Sequence, residues 1–187
     1  MIRWLLWIVG GVLLGGIVHL ATVLAMPRAA TQDAYSRLVP MTPVNKMVPL
    51  AAPTPKTSIM PFMDPAFAEA VCRYDLTGGL IKLNAPVSDA YTSVTFYTRN
   101  SVAYYAINDH AAGKRAIELD LMTPAQHAQM PEEEDVTAAD RLIVESPSAT
   151  GLILIKALAP EPGLMDMARE SVASAQCKPL PPTAPPS

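Results

Sequence analysis

Four tyrosines, Tyr91, Tyr97, Tyr104 and Tyr105, crowd one short stretch, and Asn108 and Asp109 follow closely. On neighbouring strands such rings could line one face of a groove. With Asn108 and Asp109 beside them, that face would suit a sugar or an apolar ligand. The competing reading is ordinary cross-strand packing, where aromatic side chains are favoured in any case.

The other reactive residue types are sparse. Ser101, Asp109 and His110 allow a Ser–His–Asp set to be written, as most chains of this size do. His127 lies further on, in a short helix. No H-x-x-x-H, C-x-x-C or H-E-x-x-H spacing occurs, so zinc has no support. No G-x-S-x-G elbow and no Gly-rich phosphate loop occur either. Met41, Met47, Met60 and Met63 are soft thioethers, but they are widely spaced and have no His or Cys beside them. Gap-filling under a loop is the simpler reading. The sequence therefore points to no metal and no cofactor.

Cys72 and Cys177 are the two cysteines. Outside the cytoplasm an even pair is normally a disulfide. A Cys72–Cys177 bridge would tie the two ends of the folded domain. The alternative is two free buried thiols in a cytoplasmic body.

The elements that must hold these groups are mainly strands. Ile81, Leu83 and Ala85 alternate with polar residues, as do Val94 and Phe96, and Ile117, Leu119 and Leu121. The run from Ala103 to Ile107 is apolar on both faces and predicts a central strand. Arg141–Glu145 and Gly151–Ala157 flank a turn and predict a hairpin. Residues 64–72 predict a helix instead. Asp64 fits the N-cap and Pro65 the first position, and Phe67, Ala70 and Val71 share one helical face. Thr123-Pro124-Ala125-Gln126 has the form of a capping box. Glu161–Gln176 predicts a helix with Leu164, Met167, Ala168, Ser171, Val172 and Ala175 on one stripe, ending beside Cys177. The fold class expected is mainly β (α+β). It is a small antiparallel sandwich or jelly-roll-like domain with peripheral helices.

Extensions surround that domain in the 187-residue chain. Trp4 to Met26 carries no charge. These residues would span about 35 Å as a helix, enough for a hydrocarbon core of about 30 Å. A retained anchor over residues 1–26 is the reading taken. Cleavage after Val23-Leu24-Ala25, as in a signal peptide, is the alternative. His19 lies near the outer end of the span, and Gly11 and Gly15 permit close helix approach. Residues 27–63 are Pro-rich and read as a linker, with a short helix over Asp33–Leu38. Residues 64–177 are the folded domain, and residues 178–187, with five prolines, read as a disordered tail. Glu132–Asp135 reads as a solvated acidic face. Beyond Met26 the chain has thirteen basic against seventeen acidic residues. With no basic cluster, a nucleic-acid partner is not expected.

The stretches DPAFAEAVCRYDL, APVSDAYTSVTFY and YYAIND, together with Leu121, Thr123-Pro124 and Cys177, resemble the short, membrane-anchored branch of a bacterial family called domain of unknown function 1254. The resemblance runs from the anchor to Cys177. Longer members resemble β-rich, jelly-roll-like proteins in which a second domain, domain of unknown function 1214, follows. They also carry an N-x-D-T-L-Y-like motif where this chain has Glu69-Ala70-Val71-Cys72. No site at that motif carries over. The resemblance implies that a separate membrane-anchored protein supplies the second domain.

The expectation is a single-pass bacterial inner-membrane protein, N-terminus in the cytoplasm and domain in the periplasm. Its contacts would be the bilayer, through residues 4–26, and the membrane protein carrying the second domain. The role expected is a non-enzymatic interaction or structural module of the cell envelope. The alternative is an envelope hydrolase, or a carbohydrate- or small-ligand-binding protein, using the tyrosine-rich face.

Overall fold

The computed structural model describes residues 1–29, 33–112, 116–130 and 142–180. Helix α1, Ile2–Ala29, comes first. Its Ile2–Met26 portion has a mean hydropathy of 2.2. Among the described residues it is the one helix long and apolar enough to cross a membrane. Helix α2, Ala34–Leu38, begins where the Asp33 carboxylate accepts from the Ser36 amide at 2.8 Å. Its last residue leads into a 3-10 turn over Val39–Met41.

The body follows in the order β1 (Met47–Pro49), β2 (Phe67–Asp75), β3 (Leu80–Pro86), β4 (Thr92–Thr98), β5 (Ala103–Asn108), α3 (Asp109–Ala112), β6 (Ala116–Met122), α4 (Pro124–His127), β7 (Leu142–Glu145), β8 (Thr150–Leu158), α5 (Met165–Ser174) and β9 (Gln176–Leu180). One sheet has the order β1-β2-β8-β4-β5, and the other β7-β6-β3-β9. The first is antiparallel throughout. The second has one parallel pair, β6 with β7. The fold is the expected mainly-β arrangement, with a few helices around two sheets.

Inward side chains of both sheets make one core. Ala70, Cys72, Tyr74, Val94, Phe96, Ile153 and Ile155 come from the first sheet. Ile81, Leu83, Ile117, Leu119 and Leu121 come from the second. Alternate residues of each strand share a face, so this core uses every second position. Helix α5 closes one side with Ala168 and Val172 buried. Leu164 and Met167, expected on the same stripe, are exposed.

Residues 64–72 are not helical. Phe67–Asp75 is a strand between β1 and β8, and of the expected helix start only a turn remains, with the Asp64 carboxylate accepting from the Ala66 amide at 2.9 Å. The reason lies on its second face. Val71 is fully buried outside the sandwich, in a cluster with Tyr35, Leu38 and Leu152. A strand covered on both faces loses the alternation that marks strands in a sequence.

That cover is made by residues 33–63, the expected linker. Instead of standing clear, this segment straps the outer face of the first sheet. Leu50, Ile59 and Met60 pack on the Val71 cluster, and β1 pairs with β2 from Met47 to Pro49. Asn45 fixes the strap to the end of β2. Its side chain accepts from the Asp75 amide at 2.7 Å and donates to the Asp75 carbonyl at 3.1 Å. The four linker methionines are scattered: Met47 packs on the inter-sheet core, Met60 on the outer cluster, Met63 lies near Leu50 and Phe67, and Met41 is exposed.

Three further expectations change. The strand over Ala103–Asn108 is an edge, not central. β7 and β8 do not pair as a hairpin, because β7 joins β6 and the turn after Glu145 carries the chain into the other sheet. Cys177 lies inside β9, which continues to Leu180, so the domain outlasts residue 177. The capping box at Thr123 is present as expected, with Thr123 N–H donating to Gln126 at 2.8 Å. The acidic run at Glu132–Asp135, the loop residues Gly113 and Lys114, Arg141, and the tail from residue 181 lie outside the described residues.

Candidate functional site

The expected tyrosine face is not assembled. A register shift sets Phe96 opposite Tyr105 and Tyr97 opposite Ala103, so Tyr104 is the extra residue of a bulge. Adjacent strand residues normally point to opposite faces. Here the bulge lets both rings turn inward. Phe96 has the Tyr104 centroid at 6.2 Å and the Tyr105 centroid at 5.9 Å. Tyr97 points the other way and packs in the outer cluster. Tyr91 precedes β4, and its carbonyl accepts from Leu158 N–H at 2.8 Å. Tyr104 and Tyr105 therefore serve the inter-sheet core, and Tyr97 the outer cluster.

Asn108 and Asp109 lie at the far end of β5. The Asn108 side chain accepts from the Ala111 amide at 3.0 Å and so opens α3. Asp109 and His110 approach only to 3.9 Å, beyond hydrogen-bond range. Ser101 sits before β5 with φ 59°. The strand puts about 20 Å between Ser101 and Asp109 at roughly 3.3 Å per residue. The Ser–His–Asp set does not form.

The structure builds a different polar centre, around Tyr74. This side chain is fully buried between the sheets. Its hydroxyl lies 2.9 Å from Ser146 Oγ, 3.2 Å from Tyr104 Oη and 3.2 Å from the Tyr97 carbonyl. Ser146 Oγ in turn donates to the Ser148 carbonyl at 2.7 Å. Burial pushes the Tyr104 phenol well above its ordinary range; the Ser146 bond opposes this and the Tyr74 hydroxyl adds to it. Gly151, facing Tyr74 from β8, has no room for a side chain, since a methyl there would overlap the Tyr97 carbonyl and the Tyr74 ring. Such a network of neutral hydroxyls without a base satisfies buried polar groups and fixes the sheets to each other. It does not activate a nucleophile.

A second polar centre lies on the strap side. Glu69 is buried, and its carboxylate meets Lys156 Nζ at 2.8 Å across β2 and β8. Lys156 Nζ also stands 5.7 Å from the centre of the Phe67 ring. Beside Glu69 a cavity of about 160 Å³ opens between Leu50, Phe67, Met165 and Arg169. Ligand pockets usually begin at about 300 Å³, so this space suits waters or a small ion. Two aspartates fix the ends of this region, Asp33 at the start of the strap and Asp75 at the turn after β2. Burial works against ionised Asp33, yet bonds from Ser36 and the nearby Arg99 bring its carboxyl below the usual range. Bonds from the Thr77 hydroxyl and amide lower Asp75. Among the described residues no group of three or more His, Cys, Asp or Glu side chains could hold a metal.

Cys72 and Cys177 do come together. They form a disulfide with Cα atoms 6.4 Å apart, joining β2 of one sheet to β9 of the other. Tyr74, Ser146, Gly151, Glu69 and Lys156 were not singled out by pattern. The one available signal was Tyr74 at two residues beyond Cys72, on the same strand face.

The fold has solved counterparts. The VPA0106 protein from Vibrio parahaemolyticus superposes with a TM-score of 0.57 at 12% identity over 82% of this chain. A protein of unknown role from Burkholderia cenocepacia gives 0.48 at 12% identity over 89% of the chain. The chain spans 39% and 48% of the lengths of those two proteins. Comparison with known family models and with curated proteins gives no match. At this identity the likeness to the VPA0106 protein is one of fold.

Proposed function

We propose that this chain is a short, membrane-anchored member of the domain of unknown function 1254 family. In this reading it acts as an interaction module in the bacterial cell envelope. It is held in the inner membrane by residues 4–26, with its N-terminus in the cytoplasm and its body in the periplasm. Its partner is a second membrane-anchored protein carrying domain of unknown function 1214.

The observation that carries this is the β5 edge. Ala103–Asn108 ends the first sheet and contains no charge and no proline. The other described edges are protected: β1 is three residues long and ends in Pro49, β9 contains Lys178 and Pro179, and β7 ends in Glu145. Short length, lysine, proline and bulges are the usual means of blunting an edge; β5 has the bulge at Tyr104 but none of the others, and Tyr105–Asn108 beyond it pairs in regular register. An unprotected edge offers free backbone groups to a partner strand. Val102, beside it, is half exposed. In the VPA0106 protein the corresponding fold is accompanied by more than half of that chain again, which agrees with a body that works beside further structure. The disulfide agrees with a compartment outside the cytoplasm.

The test is photo-crosslinking in intact cells. A photoreactive residue at Ala103 or Ala106 is expected to capture one membrane protein, while the same group at Lys82 on the other sheet captures none. Equal labelling from all three positions would contradict the edge reading. Two observations weigh against the ligand reading: Tyr97 faces away from Tyr104 and Tyr105, and the cavity beside Glu69 holds about 160 Å³.

A further inference from the structure

The strap has a charge that the rest of the body does not share. Residues 33–63 contain Arg37, Lys46 and Lys56 against Asp33 alone, a net charge of +2, and Arg28 precedes them at the end of α1. Residues 64–187 contain nine basic against sixteen acidic residues, a net charge of −7. Such asymmetry between adjoining segments marks a surface for a negatively charged partner.

The strap is also the part nearest the bilayer. The apolar portion of α1 ends at Met26, and α1 ends at Ala29. Asp33, which caps α2, follows four residues later. Four residues reach at most about 15 Å. Tyr35 and Leu38 are buried on the first sheet, so this short tether ends in the folded body itself. Where α1 spans a bilayer, the body cannot drift far from the headgroups.

Apolar side chains project from the strap. Val39, Met41 and Val44 are exposed, and Phe62 is fully exposed. Phe62 also has φ 61°, a left-handed backbone that bulky residues rarely adopt. Among the described residues none covers the Phe62 ring, so no packing contact there offsets that strain. Its neighbours Ile59 and Met60 and the α2 residues dock into one cluster, so Phe62 and Met41 rise from the same cover.

We propose that the strap is a lipid-facing surface. Phe62, Met41 and Val39 enter the headgroup layer of an anionic bilayer, and Lys46 and Lys56 meet its phosphates. The arrangement follows the general rule for interfacial binding, apolar insertion plus attraction to anionic lipid. It holds the domain flat beside its own anchor and leaves the β5 edge for a protein. The inference requires a membrane anchor but not the partner proposed above.

The full chain in lipid nanodiscs tests it. In a background with Trp4 and Trp7 changed to Phe, the variants Phe62→Trp and Lys82→Trp each report one position. Phosphatidylcholine brominated near the headgroup is the quencher, alone or mixed with phosphatidylglycerol. Phe62→Trp is expected to shift to shorter wavelength and be strongly quenched in the mixed discs, less so in phosphatidylcholine alone. Lys82→Trp stays unquenched. Adding Lys46→Glu with Lys56→Glu abolishes the Phe62→Trp quenching, while the thermal transition of the body is retained. Quenching no greater than at Lys82→Trp, or unchanged by lipid charge and by the lysine reversals, would overturn the proposal. Hydrogen exchange on the unsubstituted chain is an independent check. Amides around Phe62 should slow when phosphatidylglycerol is added, and no change there would count against it.

Discussion

Tyr74 Oη lies 2.9 Å from Ser146 Oγ, and this contact joins β2 of one sheet to the turn that follows β7 of the other. Tyr74→Phe removes the hydroxyl but keeps the ring. It strands the hydroxyls of Ser146 and Tyr104 and the carbonyl of Tyr97 with fewer partners. The expected loss is about 2 kcal/mol, read as a lowered thermal midpoint. Gly151→Ala drives a methyl into the same place and should cost about 3 kcal/mol by overpacking. If Gly151→Ala unfolds like the parent, the close approach of β8 to Tyr74 is wrong.

The Tyr104 phenol gives a pH prediction. Its folded pKa is raised above the ordinary value of 10.0. The folded state therefore holds the proton more tightly than the unfolded chain does. The associated stability is complete below pH 10 and is lost as pH rises from there towards the folded pKa. Phenolate absorbance should show one tyrosine that ionises only with alkaline unfolding. In Tyr104→Phe that late component should vanish and the alkaline fall in stability should become shallower.

Glu69 and Lys156 form a one-sided pair, with side chains 3% and 36% exposed. Lys156→Met leaves a carboxylate buried without its cation and should cost about 3 kcal/mol. Adding Glu69→Gln should recover much of that loss. A double variant no more stable than Lys156→Met would show that the charge is not what matters. This pair also shows why part of the site was hidden. Glu69 suits the first turn of a helix equally well, and nothing local in the sequence marks Lys156 as its partner across the sheet.

The disulfide spans 105 residues. Loop closure of that length is worth up to about 4.7 kcal/mol in the unfolded-chain model. Reduction, or Cys72→Ser with Cys177→Ser, should lower the thermal midpoint and leave the anchor in the membrane. Chain isolated under non-reducing conditions should show no free thiol before unfolding and reduction. A freely reacting thiol in freshly isolated chain would argue against a body outside the cytoplasm.

The strands with one wet face were readable. Ile81, Leu83 and Ala85 alternate with Lys82 and Asn84 because β3 turns that second face outward, where Lys82 is exposed and Asn84 half-buried. Segments with two covered faces, or two half-open ones, were not. Phe67–Asp75 lost its period under the strap, and its apolar run with Asp64-Pro65 in front imitated a helix. Ala103–Ile107 looked apolar on both sides, yet Ala103 and Ala106 are exposed at an edge. The bulge that turns Tyr104 and Tyr105 together has no local signature, since it is a property of the pairing with β4. Cys72–Cys177 was readable because only two cysteines exist to pair.

The most direct measurement purifies the tagged, full-length chain from membranes in mild detergent and identifies what accompanies it by mass spectrometry, with the Ala106→Lys variant in parallel. The account predicts one stoichiometric membrane-anchored protein carrying domain of unknown function 1214, lost from the variant. A chain that comes out alone and monodisperse, or a partner retained by Ala106→Lys, would contradict it.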